Sequence, residues 1–255
     1  MSTFASQTWW LLQRKLLESW RAPAWIVVAL STPLLYLALF GPLLNSIVGA
    51  PGFPPGSSAL DIFVPGVLVI VAFGAGMGAG WTVITELDTG VLERLRVTPA
   101  SRLALLLGPV LRDVVTFVVP AIVVTIAAQP FGYHPDATGT AVLLVLLSLL
   151  TIVVSAWSNA LSMLLKDIGS LASIVTGLQL PLTLLSGVLL PLEIGPTWMR
   201  VLAHANPLYY AVNAARDLAQ GSILTTDTGI AFAVVGALAA MTLTWATRVY
   251  RSAVA

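Results

Sequence analysis

Long uninterrupted apolar runs dominate this chain, and short polar segments separate them. Six runs are long enough to cross about 30 Å of hydrocarbon as α-helices, which takes about 20 residues each. None of the six contains Asp, Glu, Lys, Arg or His, and they cover residues 24–47, 62–85, 114–131, 139–165, 170–190 and 230–247. The pattern predicts an all-α integral membrane protein, with six transmembrane helices in a single domain spanning residues 1–255.

The third run is the shortest, and its start depends on how the apolar stretch before it is interpreted. Arg112 and Asp113 lie at its edge, and residues 103–111 precede them. We interpret 103–111 as an elbow lying along the membrane interface. A longer, tilted span that begins near Leu103 is the alternative.

Composition supports the membrane assignment and excludes several classes of site. The chain is 58% hydrophobic and 9% charged, whereas soluble proteins average about 25% charged residues. The absence of cysteine excludes disulfides and thiolate metal sites. No G-x-x-x-x-G-K-[ST] segment exists, so the chain cannot hold ATP phosphates in a P-loop. Spans without ionisable groups also disfavour an ion-coupled transporter.

Lys and Arg in the short loops predict the orientation. With the N-terminus in the cytoplasm, ten of these residues lie inside, and only Arg200 and Arg216 lie outside. Both termini are therefore expected to face the cytoplasm. The first long run starts near Ala24 and is too long for a signal-peptide core of roughly 7–15 residues, so we expect the N-terminus to be retained.

Residues 1–23 predict an amphipathic elbow helix in the plane of the inner leaflet, because indole rings favour the headgroup level. Leu11 breaks the pattern. A simple lead-in to the first span is the alternative to a helix that also touches a cytoplasmic partner. The apolar side holds Trp9, Trp10, Leu12, Leu16, Leu17 and Trp20, and the polar side holds Arg14, Lys15, Glu18 and Arg21.

Small residues in the second span predict close helix packing. Gly74 and Gly78 form one small-xxx-small pair, and Gly76 and Gly80 form another. We favour packing within the subunit over a role in gating or dimerisation.

Residues 86–102, between spans two and three, predict a short amphipathic helix on the cytoplasmic side. Pro99 would end it, and Ser101 would cap the next helix. Its apolar stripe needs cover from the headgroup region or from a partner protein, unless the segment is only a solvated loop. The stripe consists of Leu87, Val91, Leu92 and Leu95.

Residues 191–227 predict an outer helical hairpin before the last span. Its first helix begins near Pro196 and ends before Asn206. Its second has Asn206 as N-cap, Pro207 at the first helical position and Gly221 just past the end. The hairpin is mostly apolar, and we expect it to dip into the outer leaflet.

Polar side chains within the spans are few. We expect Asn159, Gln179 and Ser186 to form interhelical hydrogen bonds worth roughly 1 kcal/mol each. Contact with a substrate is the alternative.

The two special segments together resemble the type-2 ABC transporter permeases, and the closest branch is similar to the drug-resistance exporters of the daunorubicin type. The matching residues of the first segment are Glu86, Gly90, Leu92, Glu93, Leu95, Thr98, Pro99, Ser101 and Arg102. Those of the second are Leu190, Pro191, Pro196, Trp198, Asn206, Pro207, Leu208, Tyr210 and Arg216. One departure is local: Pro109 follows Gly108, where the family often has a basic residue.

The resemblance implies roles for both segments. The first would be a coupling helix that docks in a groove of a separate ATPase subunit, through Glu86, Asp88, Gly90, Leu92, Glu93 and Arg94. The second would be a re-entrant hairpin that closes the exit, with Trp198, Asn206, Pro207, Tyr209, Tyr210 and Arg216. Two permease subunits, a homodimer or a pair with a similar permease, would work with two ATPase subunits that bind ATP and Mg; we favour the homodimer. No catalytic, cofactor or metal-binding residue is expected in this chain.

These implications predict an exporter of an amphipathic or lipid-like molecule of the drug or antibiotic type, in the plasma membrane of a bacterium. Membrane lipid is an expected partner, and nucleic acid is not. An exporter of polysaccharide or lipid-linked glycan is the runner-up, and a non-catalytic scaffold or channel is the alternative from another class. Residues that could line the substrate path are Tyr36, Trp81, Asn159 and Gln179.

Overall fold

The computed structural model describes residues 4–21, 23–45, 59–96, 101–188 and 196–253, and no strand occurs among them. The all-α prediction is therefore confirmed for this part of the chain. A single 3₁₀ turn, Gln129–Phe131, follows α6. The helices are α1 (Phe4–Trp20), α2 (Pro23–Asn45), α3 (Ala59–Met77), α4 (Ala79–Asp88), α5 (Val91–Arg96), α6 (Arg102–Ala128), α7 (Ala137–Leu165), α8 (Ile168–Leu184), α9 (Thr197–Ala203), α10 (Pro207–Ala219) and α11 (Thr226–Ala253).

Four helical stretches of the described chain are long and apolar enough to cross a membrane, which makes this a multi-pass integral membrane protein. Two predicted spans, 24–47 and 170–190, correspond to α2 (Pro23–Asn45) and α8 (Ile168–Leu184), whose described apolar stretches, Val27–Leu39 and Ile168–Leu184, are shorter than the other four. The ends of both predictions, at 46–47 and 189–190, lie outside the described residues. The four long stretches are Leu60–Asp88, Arg102–Phe131, Ala137–Leu165 and Thr226–Ser252.

Helix α6 begins at Arg102 and runs unbroken to Ala128, so the interpretation of 103–111 as a separate interfacial elbow is wrong. The Ser101 side chain accepts a hydrogen bond from the Ala104 amide at 3.2 Å and caps the helix, as predicted. Buried side chains on the first turns pack this part of the helix into the protein. Arg112 and Asp113 therefore lie inside a long helix and not at the edge of a shorter one, so the prediction that the third span contains no ionisable residue is wrong.

Helix α7 is the centre of the bundle and packs against α3, α4, α6, α10 and α11. Gly76 and Gly80 face it at very short range. A β-carbon on Gly76 would lie 2.7 Å from Val154 Cβ, and one on Gly80 would lie 2.7 Å from the Ser158 carbonyl oxygen. None of the described residues has an atom within 4 Å of the same position on Gly74. The predicted packing within the subunit is thus confirmed for Gly76 and Gly80, whereas Gly74 has open space.

The turn between α7 and α8 is defined by two residues. Lys166 ends α7 with a left-handed φ of 53°. Asp167 then caps α8 by accepting a hydrogen bond from the Ser170 amide at 2.6 Å. Hydrogen bonds from Ser170 hold the pKa of the Asp167 carboxyl below its usual range, so the cap stays charged beside the positive end of the helix dipole.

Gly80→Ala should destabilise the subunit by about 1–3 kcal/mol, because the added methyl group would overlap the backbone of α7. Gly74→Ala is the matched control, since it makes the same change where the space is open. The midpoint of thermal unfolding of the purified protein in detergent measures both. Equal losses in the two variants would contradict the packing described here.

Candidate functional site

The predicted coupling region forms a tight turn between α4 and α5. Helix α4 ends at Asp88, and the Gly90 amide donates a hydrogen bond to the Leu87 carbonyl at 3.1 Å. Gly90 has a φ of 67°, a conformation that strongly favours glycine. The chain then enters α5, where the Arg94 amide donates to the Gly90 carbonyl at 3.3 Å. Residues 97–100, at the end of the predicted region, lie outside the described residues.

Two residues of the predicted apolar stripe, Leu87 and Leu92, are covered from within the chain. Leu92 is buried in a cluster with residues of α4, α6, α7 and α11, and Leu87 packs against the same cluster. The expectation that headgroups or a partner must cover these two side chains is wrong, because the bundle itself supplies the cover. The buried members of the cluster are Val83, Leu92, Leu106, Val110, Ala156, Ala160, Met163, Ala246, Val249 and Tyr250.

The charged residues of the region point in different directions. Asp88 and Arg94 are exposed. Glu86 is turned inward and lies 2.6 Å from Arg14 and 2.9 Å from Lys15, both on α1. The Glu93 side chain lies outside the described part of the structure, although its backbone belongs to α5.

Helix α1 presents its two sides to different surroundings. Trp9, Trp10 and Trp20 are exposed to 57%, 68% and 75%. On the polar side, Lys15 is buried and Arg14 is half-buried, whereas Glu18 and Arg21 are exposed. Leu11, which breaks the amphipathic pattern, packs on α6: a β-carbon on Gly108 would lie 2.6 Å from Leu11 Cβ. Pro109 stands inside the unbroken α6 and does not disturb this contact.

A second contact ties α1 to the other end of the coupling region. The Ser101 amide, at the start of α6, donates a hydrogen bond to the Gln7 side chain at 3.0 Å. Glu86 and Ser101 are therefore both held by α1, one at each end of the segment that connects α4 to α6.

A buried polar cluster between α6 and α7 escaped sequence reasoning. The Ser155 hydroxyl donates to Asp113 at 2.5 Å, and the Asn159 amide donates to Ser155 Oγ at 3.2 Å. Asp113 also lies 3.2 Å from Arg112, whose guanidinium donates to the Thr82 hydroxyl at 3.3 Å. The Asp113 carboxylate was the available signal, but placing it at the edge of a shorter span hid its burial.

The suggested path residues differ in exposure. Asn159 is fully buried inside this subunit, and its side-chain oxygen has no hydrogen-bond partner among the described residues. Tyr36 and Trp81 are partly buried against the main core, and Gln179 is partly buried on α8.

The predicted outer hairpin has the caps that the sequence indicates. Asn206 Oδ1 accepts a hydrogen bond from the Leu208 amide at 3.0 Å, Pro207 opens α10, and Gly221 follows its end with a φ of 81°. The first helix of the hairpin, α9, begins at Thr197 after Pro196.

The aromatic side chains of the hairpin differ in their surroundings. Trp198 is exposed, and the Tyr210 hydroxyl donates to the His204 carbonyl at 2.9 Å. Tyr209 lies against the His204 ring, with the ring centroids 5.2 Å apart. Residues 191–195 of the predicted hairpin lie outside the described chain.

Two side chains join this hairpin to the end of α8. The buried Asn206 amide donates to the Leu182 carbonyl at 2.7 Å. The Arg216 guanidinium donates to the Gly187 carbonyl at 2.7 Å and also reaches the Ile62 carbonyl in α3 at 3.4 Å. The Leu182 and Gly187 carbonyls lie at and just beyond the C-terminal end of α8, where helix carbonyls have no partner within their own helix. The hairpin is thereby attached to two of the apolar helices.

No group of three or more His, Cys, Asp or Glu side chains that could hold a metal ion occurs among the described residues. The polar side chains described above form hydrogen bonds between helices, and they position those helices relative to one another.

Comparisons with known proteins cover most of the chain. Residues 6–219 match the family model of the ABC-2 type transporter. The "Putative transport permease ycf38" of Porphyra purpurea is 30% identical over 209 residues, which are 81% of this chain and 71% of that protein. The protein of the same name from Cyanophora paradoxa is 28% identical over 219 residues, 84% of this chain and 74% of the other. "Daunorubicin resistance ABC transporter permease protein DrrB1" of Streptomyces coeruleorubidus is 26% identical over 258 residues, 98% of this chain and 88% of the relative.

Asn206→Asp should loosen the hairpin from α8 while leaving the cap of α10 in place. A carboxylate oxygen would face the Leu182 carbonyl without a hydrogen to share, at a cost of about 1–3 kcal/mol. Because the chain has no native cysteine, Ala203→Cys introduces a single buried thiol, whose rate of maleimide labelling in membranes should rise.

Asn213→Asp is the control, since it adds the same charge to α10 at a residue with no described bond to α8. Labelling that rises equally in both variants would contradict a specific role for the Asn206 bond.

Proposed function

We propose a function for this chain on the premise that it belongs to the ABC-2 type transporter family, as the match over residues 6–219 shows. Members of this family provide the non-catalytic membrane subunit, and ATP is bound by a separate ATPase partner. Our proposal is that this subunit exports an amphipathic or lipid-like small molecule of the drug or antibiotic type.

The observation that supports the substrate class is the similarity to DrrB1, which is named as a daunorubicin-resistance permease and whose match covers 98% of this chain. The ycf38 relatives carry names that specify no substrate. The character of the exposed surfaces supports the same class. Helix α8 exposes Ile174, Leu178 and Leu180 with no charged neighbour on the helix, and such a face suits a molecule that enters from lipid.

The same proposal includes the arrangement in the membrane. We propose six crossings, with α2 and α8 completing the set that the four long stretches begin, and both termini in the cytoplasm of a bacterial cell. The excess of Lys and Arg on one side, ten against two, supports this orientation. The α4–α5 turn and α1 then face the cytoplasm, and the α9–α10 hairpin faces outward.

We propose that the α4–α5 turn receives the ATPase subunit. The support is its exposed charge: Asp88 and Arg94 project from the turn, while Leu92 anchors it to the bundle beneath. In this arrangement Gly90 allows the sharp change of direction between the two helices. Two copies of this chain would pair with two ATPase subunits, and the substrate would pass at the seam between the copies. Tyr36, Trp81 and Gln179 are the candidates to face that seam.

ATP-dependent uptake into inside-out vesicles tests the substrate class. Vesicles containing this subunit and its co-purified ATPase should accumulate daunorubicin, and daunorubicin should stimulate ATP hydrolysis by the same complex. A polyprenyl-linked oligosaccharide is the comparison substrate. Stimulation by the glycan and not by daunorubicin would replace the proposal with glycan export, and a complex that moves neither in response to ATP would refute it.

Charge reversal on α5 tests the coupling surface. Arg94→Glu and, as a separate variant, Glu93→Lys should each uncouple transport from ATP hydrolysis while leaving membrane insertion intact. Each variant reverses one charge on the surface that we propose receives the ATPase. Arg251→Glu, at another exposed arginine predicted to lie on the same side of the membrane, is the matched control. Unchanged efflux in both α5 variants would count against the coupling role.

A further inference from the structure

Four charged side chains form a small cluster between α1 and the end of α4, which we call the Glu86 clasp: Arg14, Lys15, Glu18 and Glu86. Glu86 contacts both cations, and Glu18 contacts the same two from the outer side, at 3.0 Å from Arg14 and 3.2 Å from Lys15. Glu86 links elements far apart in sequence, whereas the Glu18 contacts remain within α1.

The clasp is more enclosed than an ordinary surface ion pair. The Lys15 side chain is 7% exposed and that of Glu86 is 12% exposed. Exposed pairs contribute little, since water already solvates both partners. A nearly buried ammonium, in contrast, needs its counter-charge, because removing one member of a buried pair leaves an uncompensated charge.

The position of the clasp matters for function. A cavity beside it is lined by residues of α1, α4, α5, α6 and α11, so the clasp lies where these five helices meet. Glu86 is one turn of helix before the α4–α5 turn, and Lys15 is on the side of α1 opposite the exposed tryptophans. One end of this connection therefore lies beside the proposed ATPase surface, and the other lies on a helix with an exposed apolar side.

We propose that Glu86 is a positioning residue, which transmits movement of the α4–α5 turn to α1 through Arg14 and Lys15 and does not itself contact the ATPase. This inference rests on the proposed function. Its direct support is that Glu86 is occupied by two short ion pairs within the chain, whereas Asp88 and Arg94 are exposed. Movement of the turn would shift α1 relative to the membrane surface against which its tryptophans lie.

Charge exchange across the clasp provides the test. Glu86→Lys and Lys15→Glu should each lower the amount of substrate moved per ATP hydrolysed, and the double variant should restore it, because opposite charges again face each other. Glu86→Gln removes the charge with little change of size, and it keeps the test open if either charge reversal prevents folding. The amount of ATPase that co-purifies and the thermal unfolding midpoint are measured for every variant.

A fluorescent label reports the movement itself. Trp10→Cys places a single thiol on the exposed side of α1, where an environment-sensitive maleimide dye can be attached. Addition of a non-hydrolysable ATP analogue to the complex should change the emission of this dye. The change should be lost in Glu86→Gln and regained in the double charge exchange, a pattern that a purely stabilising role would not produce.

The outcomes separate this inference from the proposed function. Failure of the unaltered complex to move daunorubicin or glycan with ATP would refute the proposed function. Transport by that complex together with normal coupling in Glu86→Gln would refute only the clasp. Loss of ATPase co-purification in Glu86→Lys that the double exchange does not restore would also refute the clasp, because Glu86 would then contact the ATPase directly.

Discussion

The bundle depends on how closely α3 and α4 approach α7. Apolar helices gain little hydrophobic free energy by associating in lipid, because lipid tails are as apolar as their side chains. Dispersion and hydrogen bonds must hold them together, and both require short distances. Gly76 and Gly80 allow this approach, and Ser158 uses it: its hydroxyl donates to the Met77 carbonyl at 2.8 Å and accepts from the Gly80 amide at 3.0 Å. Ser158 thus hydrogen-bonds to residues on both sides of Gly78, where α3 ends and α4 begins.

The same close packing explains how α7 can hold polar groups that lipid would exclude. Thr151, Ser155, Ser158 and Asn159 are all fully buried, and each has a partner on α7 itself or on a neighbouring helix. Asp113 joins this row through Ser155. Since a polar group without a partner is costly away from water, these side chains fix which face of α6 turns towards α7.

Local signals in the sequence predicted local structure well. The caps at Asn206, Ser101 and Gly221 were read correctly because each depends on a few neighbouring residues. The sequence misplaces the start of α6, because Arg112 and Asp113 resemble the charged edge of a span, whereas they have partners on other helices. The sequence also does not show which glycine pair faces α7. Gly74 and Gly76 are chemically identical and differ only in the direction they face. The sequence does not show that Lys15 pairs with Glu86 either, because the two residues are far apart along the chain.

Helix α1 fastens both ends of the segment between α4 and α6, through Glu86 at one end and the hydrogen bond from the Ser101 amide to Gln7 at the other. The segment is therefore a closed loop on a fixed base. The tip itself is anchored, since Leu92 of α5 is buried in the bundle. The exposed residues of the tip, Asp88 and Arg94, can change while this anchor, the base and the bundle stay as they are. Relatives that share this base can accordingly diverge at the tip to fit different partner proteins without redesigning the membrane helices.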